Sequence, residues 1–74
     1  MPSTSQPNTQ ITVNGGQRPL ANLKFVSDLI AELSLDAKKV AIERNLAIVP
    51  RNEYATTPIM DGDAIEIVGF IGGG

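Results

Sequence analysis

Residues 61–71 have the sequence DGDAIEIVGFI, in which a turn signature precedes the most apolar segment of the chain. The Asp-Gly-Asp triplet favours a turn because Gly adopts positive φ without steric cost and Asp hydrogen-bonds to nearby backbone. The apolar run that follows predicts a central strand over residues 64–71. Side chains alternate between the two faces of a strand, with Ile65, Ile67 and Ile71 on one face and Glu66, Val68 and Phe70 on the other.

A hairpin is predicted near the start of the chain. Residues 10–14, with the sequence QITVN, alternate polar and apolar side chains as a half-buried strand does. The tripeptide Asn14-Gly15-Gly16 is a strong hairpin signal because its residues adopt positive φ at little cost. A returning strand is predicted over residues 17–23, and Pro19 marks it as an edge strand because proline cannot donate to a sheet ladder.

One segment has the spacing of an amphipathic helix. Its apolar residues recur at i, i+3, i+4 and i+7 and are Val26, Leu29, Ile30 and Leu33. A helix this short is stable only when it packs against another element, here the predicted sheet. Ser34 is at the position that ends the helix, where glycine adopts the usual left-handed conformation without steric cost. We therefore expect strain at the end of the helix.

The segment between the helix and residue 61 predicts two more strands. We expect a strand over residues 40–44, a turn at Asn45-Leu46 and a short strand over residues 47–49. Residues 51–60 have no regular pattern, and we expect Tyr54 to be half-buried through its ring.

The order of these elements predicts an α+β domain of the β-grasp type. One helix packs across one face of a mixed sheet of four to five strands. The domain is expected to span residues 10–71, between a disordered N-terminal tail at residues 1–9 and a flexible glycine tail at residues 72–74.

Composition excludes several classes of function. The 74 residues carry 6 Lys and Arg against 8 Asp and Glu, and this net charge of −2 argues against nucleic acid as a partner. Without Cys or His the chain lacks thiolates and the usual general base, so we expect no bound metal or cofactor and no catalysis. Neither a membrane span nor a signal peptide is recognisable, and we expect a cytoplasmic protein without a membrane partner.

Three glycines, Gly72, Gly73 and Gly74, follow the predicted central strand directly. One interpretation is an inert, frayed tail. The other is a thin arm without side chains, which enters a narrow channel and presents the carboxylate of Gly74 to a partner. A carboxylate is anionic at neutral pH and resists nucleophilic attack until it is activated. The chain has no thiol or phosphate-binding motif for that step, so a partner would have to supply the activation.

Val68 and Phe70 are candidate docking residues. If the helix covers the isoleucine face of the last strand, both side chains are exposed beside the glycine tail, and exposed apolar patches mark partner surfaces. Phe70 could instead fold back and complete a small core. The pattern alone leaves both possibilities open.

Several segments together resemble the ThiS sulfur carriers of thiamine biosynthesis. The resemblance runs in order from residue 10 to residue 74 and rests on VSDLIAEL at 26–33, VAIERN at 40–45, IVPR at 48–51, Tyr54, DGDAIEIV at 61–68 and the glycine terminus. It implies a ubiquitin-like β-grasp fold. The chain departs from the family pattern at Phe25, Ser34 and Leu46, where a Thr cap, a helix-ending Gly and the Gly of an Asn-Gly turn are usual.

The resemblance also implies a reaction sequence that partners perform. A ThiF-type adenylyltransferase uses ATP to convert the Gly74 carboxylate to an acyl adenylate, and a persulfide sulfur donor then replaces the adenylate. A ThiG-type thiazole synthase takes sulfur from the resulting thiocarboxylate. Gly74 is thus the expected covalent attachment site, and Gly72, Gly73 and Gly74 are expected to thread into the partner. The alternatives are a molybdopterin-type sulfur carrier, a ubiquitin-like protein modifier and a binding module with an inert tail.

Overall fold

The computed structural model describes residues 9–69, which form one sheet and one α-helix. The elements, in chain order, are β1 (Gln10–Val13), β2 (Gly16–Pro19), α1 (Val26–Glu32), β3 (Val40–Arg44), β4 (Ala47–Val49) and β5 (Ala64–Gly69). Two single-turn 3-10 helices, Ala37–Lys39 and Arg51–Glu53, precede β3 and follow β4.

The sheet has five strands in the order β2-β1-β5-β3-β4. β5 occupies the centre, where it pairs parallel to β1 and antiparallel to β3, and the two outer pairs are antiparallel hairpins. The prediction of a β-grasp with a mixed sheet and a central last strand is therefore confirmed. β2 is an edge strand, as Pro19 indicated.

The core lies between α1 and one face of the sheet. Five residues have less than 2% of their surface exposed: Ile11, Leu29, Ile42, Ile65 and Val26. They come from α1 and from three neighbouring strands, so the helical stripe and the alternating strand residues bury one another. This burial is what stabilises a helix of 7 residues.

Both hairpin turns use residues with positive φ. Asn14 and Gly15 have φ of 50° and 86°, and Asn45 and Leu46 have φ of 53° and 72°. Positive φ at both central residues matches the right-handed twist of the flanking strands. The turn at Asn45-Leu46 is therefore confirmed, with a leucine in a conformation that usually favours glycine.

The ends of α1 are completed without the residues usual in the family. Phe25 offers no acceptor, and instead the Asp28 carboxylate accepts from the backbone N–H groups of Lys24 and Phe25, both at 2.9 Å. Ser34 has φ of 57°, and the N–H of Leu35 donates to the carbonyl of Ile30 at 3.0 Å. This is a Schellman ending with serine at the left-handed position, so the predicted strain is confirmed.

Two expectations about local structure are wrong. β2 ends at Pro19 and does not run to residue 23, because Ala21 has φ of 49° and turns the chain toward the helix. Tyr54 is buried at 6% exposure, whereas half-burial was expected. Its hydroxyl finds a buried acceptor, the carbonyl of Val40 at 3.1 Å, so the whole side chain can leave water.

The domain limits proposed from sequence fall largely outside the described residues. The N-terminal tail at residues 1–9 and the glycine tail at residues 72–74 stay predictions. Within residues 9–69, no helix has the length and apolar character needed to cross a membrane.

Candidate functional site: the end of β5 and the open sheet face

Of the five residues predicted to act on partners, the structure describes Val68. It lies near the end of β5 and is 59% exposed. Phe70, Gly72, Gly73 and Gly74 lie outside the described residues, so their roles stay predictions. The structure also shows the part of the sheet that surrounds Val68, which the sequence patterns did not describe.

β5 is paired with β3 from Ile65 to its last residue and with β1 at its first two residues. β3 pairs with it from Arg44 opposite Ile65 to Val40 opposite Gly69. β1 pairs with its first residues, and the Asn14 N–H donates to the carbonyl of Ile65 at 2.9 Å. Gly69, the last described residue, therefore lies at the end of the central strand and is paired with β3.

The side chain of Asn14 extends this ladder after β1 has turned away. Its Oδ1 accepts from the N–H of Ile67 at 2.7 Å, and its Nδ2 donates to the carbonyl of the same residue at 3.1 Å. One amide thus takes the place of a strand residue beside β5. The sequence pattern predicts Asn14 only at the end of the first strand and in the hairpin turn, because nothing local to residue 14 indicates contact with residue 67.

Asp63 anchors the beginning of β5. The residue is 6% exposed, and its carboxylate accepts from Nε of Arg44 at 2.8 Å, Nδ2 of Asn45 at 2.9 Å and the N–H of Met60 at 2.8 Å. Asn45 also accepts from the N–H of Ala64 at 2.9 Å. Arg44 and Asp63 thus form an ion pair.

Burial alone raises the pKa of Asp63, because the charged carboxylate loses water. The hydrogen bonds from Asn45, Met60 and Arg44 favour the charged form more strongly, and the net pKa lies below its ordinary value. All three partners donate an N–H group, so both oxygens of the carboxylate already accept hydrogen bonds from the protein. Within residues 9–69, no three acidic residues converge as metal ligands would.

The face of β3, β4 and β5 that points away from α1 is here called the open face. It consists of Ala41, Glu43, Ile48, Glu66 and Val68, which alternate with the buried residues of the same strands. Ile48 and Val68 are 69% and 59% exposed. The expected exposure of Val68 on the face opposite Ile65 is confirmed.

A family model described as the ThiS family matches residues 11–74 of this chain. The chain belongs to the ThiS family. This confirms the resemblance drawn from the sequence and the β-grasp fold that it implied.

Curated relatives and a solved structure agree with ThiS membership. The sulfur carrier protein ThiS of Bacillus subtilis is 43% identical over 49 residues, which cover 66% of this chain and 74% of that protein. The crystal structure of the thiamine biosynthesis protein ThiS from Geobacter metallireducens superposes with a TM-score of 0.73 at 32% identity, covering 88% of this chain and 99% of that one.

A thiazole synthase also contains a ThiS-like stretch. The enzyme of Paramagnetospirillum magneticum is 48% identical over 65 residues, or 88% of this chain. These residues make up 20% of the synthase, so the present chain spans about a fifth of that relative. The rest of the synthase has no counterpart in the 74 residues.

Proposed function

We propose that this chain is a sulfur carrier of thiamine biosynthesis and that the carboxyl group of Gly74 carries the sulfur. The observation that supports this most directly is the ThiS family match, which extends through the glycines to residue 74. The carrier is acted on by enzymes and does not catalyse the transfer itself.

Activation comes first. A ThiF-type adenylyltransferase binds ATP, and a carboxylate oxygen of Gly74 attacks the α-phosphorus as pyrophosphate leaves. The product is a mixed anhydride whose acyl carbon is open to a nucleophile. Gly72, Gly73 and Gly74 suit a narrow active site because glycine has no side chain to clash with its walls.

Sulfur transfer follows. The terminal sulfur of a persulfide attacks the acyl carbon and AMP leaves; a thiol then reduces the acyl disulfide and releases the thiocarboxylate. A ThiG-type thiazole synthase accepts this sulfur. The occurrence of a ThiS-like stretch inside a longer thiazole synthase supports that enzyme type as the acceptor. These reactions need ATP and reduced thiols, which places them in the cytoplasm.

The described domain serves as the base for the carrier arm. β5 is paired with β3 up to Gly69 and is held on its other side at Ile67 by Asn14, so the end of β5 is fixed relative to the sheet. Val68 and Phe70 would dock against the partner while the glycines thread into its active site. A fixed base reduces the number of positions that the arm can sample, and so lowers the entropy cost of bringing the carboxylate to the α-phosphorus of ATP.

The test is sulfur loading in a defined mixture. The chain is incubated with a ThiF-type adenylyltransferase, ATP and a persulfide donor, and the intact mass and C-terminal peptide are measured. We expect exchange of one oxygen for sulfur, confined to Gly74, and no exchange without ATP. Conjugates to protein lysines would instead identify a protein modifier, and no modification would identify an inert tail.

Growth rescue separates the two carrier types. We expect the gene to restore growth of a strain that lacks its own thiamine sulfur carrier. A strain that lacks the molybdopterin carrier serves as the control and should not be restored. The reverse result would assign the chain to molybdopterin synthesis.

A further inference from the structure

Two carboxylates face each other at the centre of the open face. Glu43 of β3 lies directly opposite Glu66 of β5 in the antiparallel register. Directly opposed residues in such a pair have Cβ atoms about 5 Å apart, and like charges at that separation are unfavourable. Two negative charges in this register are therefore unfavourable for the stability of the free protein.

No cation within residues 9–69 forms an ion pair with either carboxylate. Within residues 9–69, five other carboxylates accept a hydrogen bond: Asp28, Glu32, Asp36, Asp61 and Asp63. Across the same range, the carboxylates of Glu43, Glu53 and Glu66 have neither a hydrogen bond nor an ion pair, and only those of Glu43 and Glu66 lie opposite each other. Arg44, the neighbour of Glu43, points to the other face and pairs with Asp63.

Apolar side chains flank the pair where a basic residue could have neutralised it. Ile48 of β4 lies directly opposite Glu43 on the other side, and Val68 follows Glu66 by two residues on the same face. Both are mostly exposed, at 69% and 59%. The other half of the sheet differs, because Thr12 and Gln17 oppose each other there and are polar.

We propose that the open face docks on a partner protein which presents an arginine or lysine between apolar side chains, with its cation seated between Glu43 and Glu66. Charge complementarity selects this occupant: a guanidinium bridges two carboxylates with short, charge-assisted hydrogen bonds, while Ile48 and Val68 exclude water around it. The inference rests on the proposed sulfur-carrier function, since it assigns the docking surface of that same carrier. The face adjoins Gly69, the last residue of β5, which precedes the first glycine of the tail by three positions in the sequence.

Loss of the two charges should affect the stability of the free protein and its binding to the partner differently. Loss of the two charges removes a repulsion in the free protein and removes both contacts to the partner's cation. The double variant E43Q/E66Q should therefore melt at the same temperature as the unaltered chain or higher, yet bind its partner more weakly. A residue with a purely structural role would show the opposite stability change.

The experiment measures the dissociation constants of a ThiF-type adenylyltransferase and a ThiG-type thiazole synthase for the chain at low and high salt. For at least one enzyme we expect E43Q/E66Q to weaken binding about tenfold or more and to flatten the salt dependence, as for other buried charge contacts. The control is E32Q, which changes the net charge by one on the helix side of the molecule and should leave binding unchanged.

Three outcomes would overturn the inference. Unchanged affinity and salt dependence for both enzymes would show that the open face does not dock through its carboxylates, while sulfur loading of the unaltered chain would leave the proposed function intact. A large fall in melting temperature of E43Q/E66Q would assign the pair a structural role. If neither enzyme binds or modifies the unaltered chain, the proposed function fails and this inference fails with it.

Discussion

Leu46 adopts a backbone conformation that costs a residue with a Cβ about 1–2 kcal/mol. Its φ is 72°, and 88% of its surface is exposed, so little packing compensates for the strain. The β3–β4 turn nevertheless forms, because the strands on both sides and the Asn45 side chain hold it closed.

Leu46→Gly should therefore stabilise the protein. Glycine relieves the strain but loses more entropy on folding, which leaves a net gain of about 0.5–1 kcal/mol in the free energy of unfolding. Chemical denaturation measures this gain. Leu46→Ala is the control, because it removes the exposed side chain and keeps the Cβ, and it should have little effect. A destabilised glycine variant would mean that the leucine side chain packs in a way its exposure does not suggest.

Asp63 makes folding sensitive to acid. Its pKa is lower in the folded chain than the ordinary value of 3.8, so the ionised form is favoured by folding. The resulting stabilisation is complete above the unfolded-state pKa and is lost as the pH falls through the lower folded-state pKa. The pKa of Asp28 is also lowered, mainly by hydrogen bonds from the backbone N–H groups of Phe25 and Lys24, and it acts in the same direction.

Asp63→Asn should lower the free energy of unfolding at neutral pH by about 1–3 kcal/mol, because it leaves the buried donors around residue 63 without a charged acceptor. Its melting temperature should also change less than that of the unaltered chain between pH 5 and roughly pH 2. Asp61→Asn alters the exposed carboxylate of the same turn and should have a smaller effect. Identical acid profiles for Asp63→Asn and the unaltered chain would contradict this account.

Single contacts join the elements into one body. The Tyr54 hydroxyl connects the irregular segment after β4 to the first residue of β3, and the Asn14 amide connects the β1–β2 turn to β5. The elements themselves are short, with 7 residues in α1 and 3 in β4, so these contacts between elements matter more than propensity within them.

Tyr54→Phe should lower the free energy of unfolding by about 1 kcal/mol, since the variant keeps the buried ring and leaves the carbonyl of Val40 without its donor. For a chain of this size that corresponds to a fall in melting temperature of about 4–8 °C. Thr56→Ala removes an exposed hydroxyl with a long contact of 3.4 Å and serves as the control. An unchanged melting temperature in Tyr54→Phe would show that another donor, such as water, replaces the hydroxyl.

In the whole molecule, the fixed end of β5 lies beside the open face, which carries exposed apolar and acidic side chains. β5 provides both, because its buried residues hold the sheet together while Glu66 and Val68 point outward. On the proposed function, one strand both fixes the base of the arm and contributes to the docking surface.

Deletion of Gly74 should abolish sulfur loading and leave the melting temperature unchanged. The deleted residue has no side chain to bury, and the next glycine would place its carboxylate one residue short of the activating site. Intact mass spectrometry and thermal melting measure the two effects. A variant with one residue added after Gly74, kept free of proteases, should fail in the same way. Full loading of either variant would contradict the carrier role of Gly74.

Local patterns were sufficient for the elements of this fold. The alternation in residues 10–14 and 64–69, the 3.6-residue spacing of α1 and the two turns with asparagine are properties of neighbouring residues. The three terminal glycines themselves indicated either a carrier arm or an inert tail, and the family resemblance added the sulfur chemistry and its partners. The end of β2 was predicted less well, because Ala21 adopts a positive φ that no local rule assigns to alanine.

The tertiary structure alone decided which distant residues meet. Between Glu43 and Glu66 the chain passes through β4 and an irregular segment, and the opposition of the two residues follows from the register of β3 and β5. The contacts of Asn14 with Ile67, of Asp63 with Arg44 and of Tyr54 with Val40 likewise join residues far apart in the chain. Short-range patterns record only the preferences of adjacent residues, whereas strand register is set by the packing of the whole core.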